Sequence, residues 1–162
     1  KRYRCANSPK FKKMSHLKKR LSTLIESPKM NTEEKLEKIC HLLNQEIPYF
    51  NWVGFYFKNG EKDELVLGPY VGAPTDHTVI PYGRGICGQV AVSGQTLLVP
   101  DVRAEDNYLA CSIETKAELV VPIFKNGKNI GQIDIDSHSI NPFTEEDRHL
   151  MEWLCDKLSE IL

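Results

Sequence analysis

Residues Glu118–Ser137 read ELVVPIFKNGKNIGQIDIDS. Two runs of apolar and β-branched residues, ELVVPIF and NIGQIDID, flank KNGK at Lys125–Lys128. Asn-Gly between such runs is a two-residue hairpin turn, because both turn positions need positive φ and these two residues tolerate it best. A hairpin here means an antiparallel sheet. In its second strand, period-two alternation sends Ile133 and Ile135 to one face and Asp134 and Asp136 to the other. The isoleucines mark the core. The aspartates have two readings, an ordinary solvent-facing strand or a covered acidic site, and Glu118 at the start of the partner strand can join them.

Working outward, WVGFYF (Trp52–Phe57) and LVLGPY (Leu65–Tyr70) are two more strands by composition, and QTLLVPD (Gln95–Asp101) holds a short one. Asn31, with Glu34 three positions later, has the form of an N-cap and its capping partner. Leu36, Ile39, Cys40, Leu43 and Ile47 then recur at helical spacing, which predicts a helix over 32–46 that ends before Pro48. Cys40 falls on that apolar stripe and is read as core. At the far end Thr144 caps a helix whose apolar face is Leu150, Met151, Leu154, Leu158 and Ile161. Strands and helices do not alternate, so a parallel doubly wound sheet is excluded. The expected class is α+β: a central antiparallel sheet with the N- and C-terminal helices on one face and long loops over the other. Those loops come from residues 71–118, rich in glycine and proline. Long loops in a compact domain carry function, and two carboxylates beneath them would bind a cation or keep a proton by mutual repulsion.

The 162 residues, 41% hydrophobic, suit one domain with a real core. Neither a membrane span nor a leader-like apolar stretch is visible, and the five cysteines are scattered without a CxxC. A reducing, cytoplasmic setting is expected, in which thiols stay available for chemistry. The net charge of −1 conceals nine lysines and arginines and no acid within residues 1–20. Residues 1–28 are read as a basic N-terminal extension, and 29–162 as the domain proper. The basic arm could meet nucleic acid or an anionic membrane surface, but no nucleic-acid motif accompanies it, and a solvated helical extension is the expectation.

GRGICG (Gly83–Gly88) lacks both the P-loop ending and the GxGxxG spacing, so phosphate binding is set aside. His77, Cys87, Cys111 and His138 lack the short paired spacings of zinc sites, which argues against a metal. No G-x-S-x-G elbow is present. Cys87 and Cys111 remain, both on the central loops; two thiols over one face can form and break a disulfide. Trp52 and Tyr56 share a face across Gly54, a gap that suits a small ligand, although plain aromatic packing also fits.

Taken together, NWVGFYF, LVLGPY, IPYGRGICG, GQTLLVPDV, YLACS, ELVVPIF, GQIDIDS and FTEED resemble, in one register over about residues 31–162, the free methionine-(R)-sulfoxide reductases, which have a GAF-domain fold. The resemblance implies Cys111 as the thiol that attacks the sulfoxide sulfur and Cys87 as a member of the disulfide relay. It implies that Glu118, Asp134 and Asp136 hold the substrate and that Trp52 and Tyr56 form its aromatic walls. No cofactor is implied; thioredoxin or another thiol reductant is the expected partner, and a homodimer is left open. The family's third cysteine, ahead of the Cys87 segment, falls here on His77. A GAF domain can also sense small molecules without chemistry, and loss of Cys111 or the acids would mark that alternative; neither is lost. An interaction module built on the basic arm is supported by composition alone.

Overall fold

A computed structural model describes residues 8–109 and 112–162. Cys111, the expected nucleophile, and Cys5 lie outside the described residues. The elements run α1 (Pro9–Glu26), α2 (Thr32–Glu46), β1 (Trp52–Lys58), β2 (Glu64–Val71), β3 (Val79–Pro81), α3 (Gly85–Ser93), β4 (Leu97–Val99), a 3-10 turn (Val102–Ala104), β5 (Ala117–Lys125), β6 (Lys128–Ser137) and α4 (Glu145–Leu158). The strands form one antiparallel sheet in the order β3-β2-β1-β6-β5-β4.

The hairpin forms as its sequence requires. Asn126 and Gly127 sit at φ 51° and 75°, and β5 and β6 pair from Lys125↔Lys128 to Ala117↔Ser137. Asn31 accepts from the Glu34 amide at 2.9 Å while Glu34 accepts from the Asn31 amide at 2.9 Å, so α2 starts where its capping box dictates. Thr144 and Asp147 make the same reciprocal pair at the start of α4. The Tyr49 hydroxyl donates to the buried Asp147 carboxylate at 2.7 Å, tying the α2–β1 connection to that cap.

Both faces of the sheet are buried, which is why WVGFYF is continuous rather than alternating. On one face Val53, Phe55, Leu119, Val121, Ile133 and Ile135 meet α1, α2 and α4. The opposite face carries Trp52, Tyr56, Leu65 and Val120, covered by α3 and the central loops. Residues 71–118 therefore hold more regular structure than their glycine and proline content suggested. β3 was not foreseen, since three residues are too few to show an alternation.

The helix of the basic arm is present, with Ser8 as its N-cap and Pro9 in its first turn. It is not merely solvated. Leu17, Leu21 and Ile25, four residues apart, are buried in the same core as α2 and α4. The lysines face outward and mask this stripe in any charge count.

Leu21→Ala is expected to cost about 2–5 kcal/mol in urea unfolding, the usual range for emptying a packed leucine site. A loss below about 0.5 kcal/mol would show that α1 does not belong to the core.

Candidate active site

The register sets the site. Trp52, Asp136 and Glu118 form one row across β1, β6 and β5; Gly54, Asp134 and Val120 form the next; Tyr56, Gln132 and Pro122 the third. By strand alternation the side chains of all three rows point to the face beneath α3. Of the two readings of these acids the structure has the covered one: Glu118 is 3%, Asp134 0% and Asp136 1% exposed.

α3 brings a thiol to these acids. Cys87, in its first turn, donates to Glu118 Oε1 at 3.7 Å. Cys87 Sγ and a carboxylate oxygen from each of Glu118 and Asp134 lie within 4.8 Å of one another. Such a donor set can hold a divalent cation. His138 takes no part, since its Nε2 lies 3.6 Å from Glu114 at the surface.

Burial raises the Glu118 carboxyl well above the usual 4.5, and the neighbouring Asp134 and Asp136 charges push it further. Burial also raises Asp134, opposed by hydrogen bonding to Glu118 and Cys87. No N–H or O–H donor among the described residues reaches either Asp134 oxygen unless a neighbour keeps its proton. Glu118 is that neighbour. The buried acids thus favour their protonated forms, and Glu118, pushed up by burial and by both aspartates, is the one best placed to keep a proton.

Trp52 and Tyr56 do lie side by side, but the space between them differs from expectation. The Trp52 ring stacks on Tyr70 at 5.3 Å and on Tyr56 at 6.3 Å, and its Nε1–H donates to the Ala73 carbonyl at 3.1 Å. Gly54 does not leave an open gap: a Cβ there would lie 2.4 Å from the Trp52 ring, so the indole itself fills the space. The Tyr56 hydroxyl donates to the His77 carbonyl at 2.8 Å, which places the His77 segment beside the wall. Tyr70 was not singled out from sequence, because its period-two partners on β2 are only half buried.

Asn107 was also missed. Its side chain accepts from the Gly85 amide at 2.9 Å and donates to the Gly83 carbonyl at 2.8 Å. Gln89 Nε2 adds bonds to the Gly85 and Asn107 carbonyls at 3.0 and 3.1 Å. Gly85, at φ 65°, packs so close to Leu109 that a Cβ would meet that side chain at 2.8 Å. The loop before Cys111 is thus clasped to the start of α3. Beneath it lies a cavity of about 10 Å³ bounded by Arg84, Ile86, Cys87, Leu109 and Glu118. Of the remaining thiols, Cys40 and Cys155 are buried in the opposite core, where desolvation raises them far above the ordinary thiol range.

The GAF-domain profile matches residues 31–162. The free methionine-R-sulfoxide reductase of Escherichia coli is 36% identical over 121 residues, 75% of this chain and 72% of that protein. This chain belongs to the GAF-domain family and, within it, to the free methionine-R-sulfoxide reductases. Among solved structures, the Staphylococcus aureus fRMsr in complex with substrate superposes with a TM-score of 0.82 at 36% identity, covering 92% of this chain and 95% of that one. The Neisseria meningitidis free methionine-R-sulfoxide reductase, also in complex with its substrate, gives a TM-score of 0.83 at 34% identity over 92% and 89% of the two chains. Among the described residues, no helix is long and apolar enough to cross a membrane.

The raised carboxyls give a pH test. Above the ordinary carboxylate range the folded protein holds protons that the unfolded chain has released, so stability falls as pH rises through the folded values. Asp134→Asn removes one carboxylate and its repulsion of Glu118. Its unfolding free energy is expected to fall less steeply, as pH rises above the ordinary carboxylate range, than that of the unmodified protein. Equal slopes would show that Asp134 does not help Glu118 keep its proton.

Proposed function

We propose that this protein reduces free L-methionine-(R)-sulfoxide to methionine by cysteine chemistry. The observation that carries the reading is the buried carboxyl cluster beside a thiol and the Trp52 and Tyr56 rings, in a chain similar over its length to substrate-bound reductases. Cys111 attacks the sulfoxide sulfur as a thiolate, and Glu118 gives its proton to the sulfoxide oxygen. Oxygen passes to the cysteine sulfur as a sulfenic acid, and methionine leaves. The Cys87 thiol then attacks the sulfenic acid, releasing water and forming a Cys87–Cys111 disulfide. A dithiol reductant of the thioredoxin type returns both thiols by exchange.

Connectivity supports this pairing. Leu109, two residues ahead of Cys111, lines the same cavity as Cys87, and two residues reach roughly 7 Å. A Cys87–Cys111 relay also dispenses with the third family thiol, whose position His77 occupies. The acids support a preference for the free amino acid: Asp134 and Asp136 would face the substrate's α-ammonium, which peptide-bound methionine sulfoxide lacks. A buried carboxylate left without its counter-charge is costly. A cavity of about 10 Å³ holds roughly one water, so the Asn107 clasp must release before an amino acid enters.

Cys111→Ser is expected to abolish loss of free methionine-(R)-sulfoxide in a thiol-coupled assay, with Cys40→Ser keeping most of the turnover. Undiminished activity in Cys111→Ser would remove it as nucleophile. Peptide mapping after one turnover without reductant should find Cys87 joined to Cys111. A Cys111 sulfenic acid beside a free Cys87 would instead assign resolution to an external thiol. N-acetylated, amidated methionine sulfoxide should react at least about tenfold more slowly than the free form, and equal rates would refute the role given to the acids.

A further inference from the structure

Gln132 lies two residues before Asp134 on β6, on the same face, between Tyr56 and Pro122 on the neighbouring strands. It is 0% exposed, and neither its Nε2 nor its Oε1 has a hydrogen-bond partner among the described residues. A buried carboxamide with nothing to bond costs about 1–3 kcal/mol per unpaired group, a cost that methionine, of similar length, would not carry. The Gln132 Oε1 finds no donor on the adjoining rows: the Pro122 side chain has no hydrogen-bonding group, and the Tyr56 hydroxyl proton goes to the His77 carbonyl. What the face does contain is an acceptor, Asp134, whose hydrogen-bonding neighbours among the described residues are the Cys87 thiol and Glu118. Asp134, wholly buried, receives no N–H, and residues two apart on a strand stand about 6.6 Å apart, a span that a glutamine side chain bridges.

We propose that Gln132 is a positioning residue whose Nε2–H turns onto the Asp134 carboxylate at the moment Glu118 gives up its proton. This rests on the reductase reading. Before transfer, Glu118 keeps its proton and Asp134 needs no other donor. After transfer Glu118 and Asp134 are both ionised in a water-poor interior; the substrate's α-ammonium offsets part of that charge, and the amide replaces the hydrogen bond that Glu118 has withdrawn. The interaction exists only once the proton has moved, so it acts on turnover rather than on substrate binding. Among the described residues, the titratable or charged groups around the pair are Cys87 and Arg84 from the α3 end, Asp136 on β6 and Tyr56 on β1. None of these amends Asp134's want of an N–H donor.

The test compares the unmodified protein with Gln132→Met, and with Gln132→Leu as a second apolar variant. A charge-assisted bond of about 1.5–3 kcal/mol corresponds to roughly a ten- to hundredfold loss in kcat, with KM held within about twofold. The melting temperature should be unchanged or higher, since an unpaired amide has gone. Infrared titration of the buried protonated carboxyl should show its band persisting to higher pH in the variants by about one unit or more, because the doubly ionised pair has lost its donor. Unchanged kcat with an unchanged band would make Gln132 a structural orphan and overturn the proposal. A raised KM with kcat intact would make it a substrate contact, which also overturns it. Absence of turnover in the unmodified protein would sink the reductase reading alone, and the carboxyl titration would still decide whether Gln132 governs the pair.

Discussion

Three carboxyl groups buried on one sheet face are the constraint around which the rest of the molecule is arranged. Glu118, Asp134 and Asp136 are at most 3% exposed, and two of them are adjacent on one strand face. Burial in a medium of low dielectric opposes ionisation, and the acids oppose one another as well. Nothing about such an arrangement favours folding. It persists because β6 is also the strand that carries Ile133 and Ile135 into the main core, so the acids cannot leave their face without moving the isoleucines from theirs. The period of a β-strand couples the stabilising face to the costly one.

That coupling explains the distribution of helices. The core formed by α1, α2 and α4 is by far the larger of the two, and it holds the sheet from behind. The opposite side has only α3, whose first turn delivers Cys87, and a smaller set of apolar contacts around Trp52, Ile86 and Val90. Strength lies on the face that does no chemistry. The face with the thiol and the acids is closed by side-chain-to-backbone bonds from Asn107 and Gln89, which can be undone without disturbing the sheet.

What the sequence disclosed follows the same division. The hairpin, the Asn31 and Thr144 caps and the helical stripe of α2 were readable because each is a local pattern with one physical solution. The acids and Cys87 were readable as candidates because alternation and glycine content set them on one face. Contacts made across long separations were not readable. Nothing in NYLACS says that Asn107 reaches the Gly85 amide, 22 positions away. The Trp52 ring lying over Gly54 depends on a rotamer, so a gap in the strand pattern was mistaken for a gap in space. Leu17, Leu21 and Ile25 were hidden by the lysines between them, because a charge run and an amphipathic stripe occupy the same residues.

The closed state and the carboxyl chemistry are two aspects of one requirement. Water admitted beside Glu118 and Asp134 would solvate their charged forms and undo the burial that raises both carboxyls. The clasp at Asn107 excludes that water, and Leu109 fills the space next to the Gly85 turn. In the proposed reaction the entering substrate would replace the clasp as a seal, with its methyl and methylene groups against Trp52 and Tyr56. The Asn107 bonds are to two backbone groups of the turn that carries Cys87, so releasing them also frees the first turn of α3. Under the proposed mechanism, opening for the substrate and freedom for Cys87 would then be one motion, and the thiol would gain its reach in the part of the cycle that uses it.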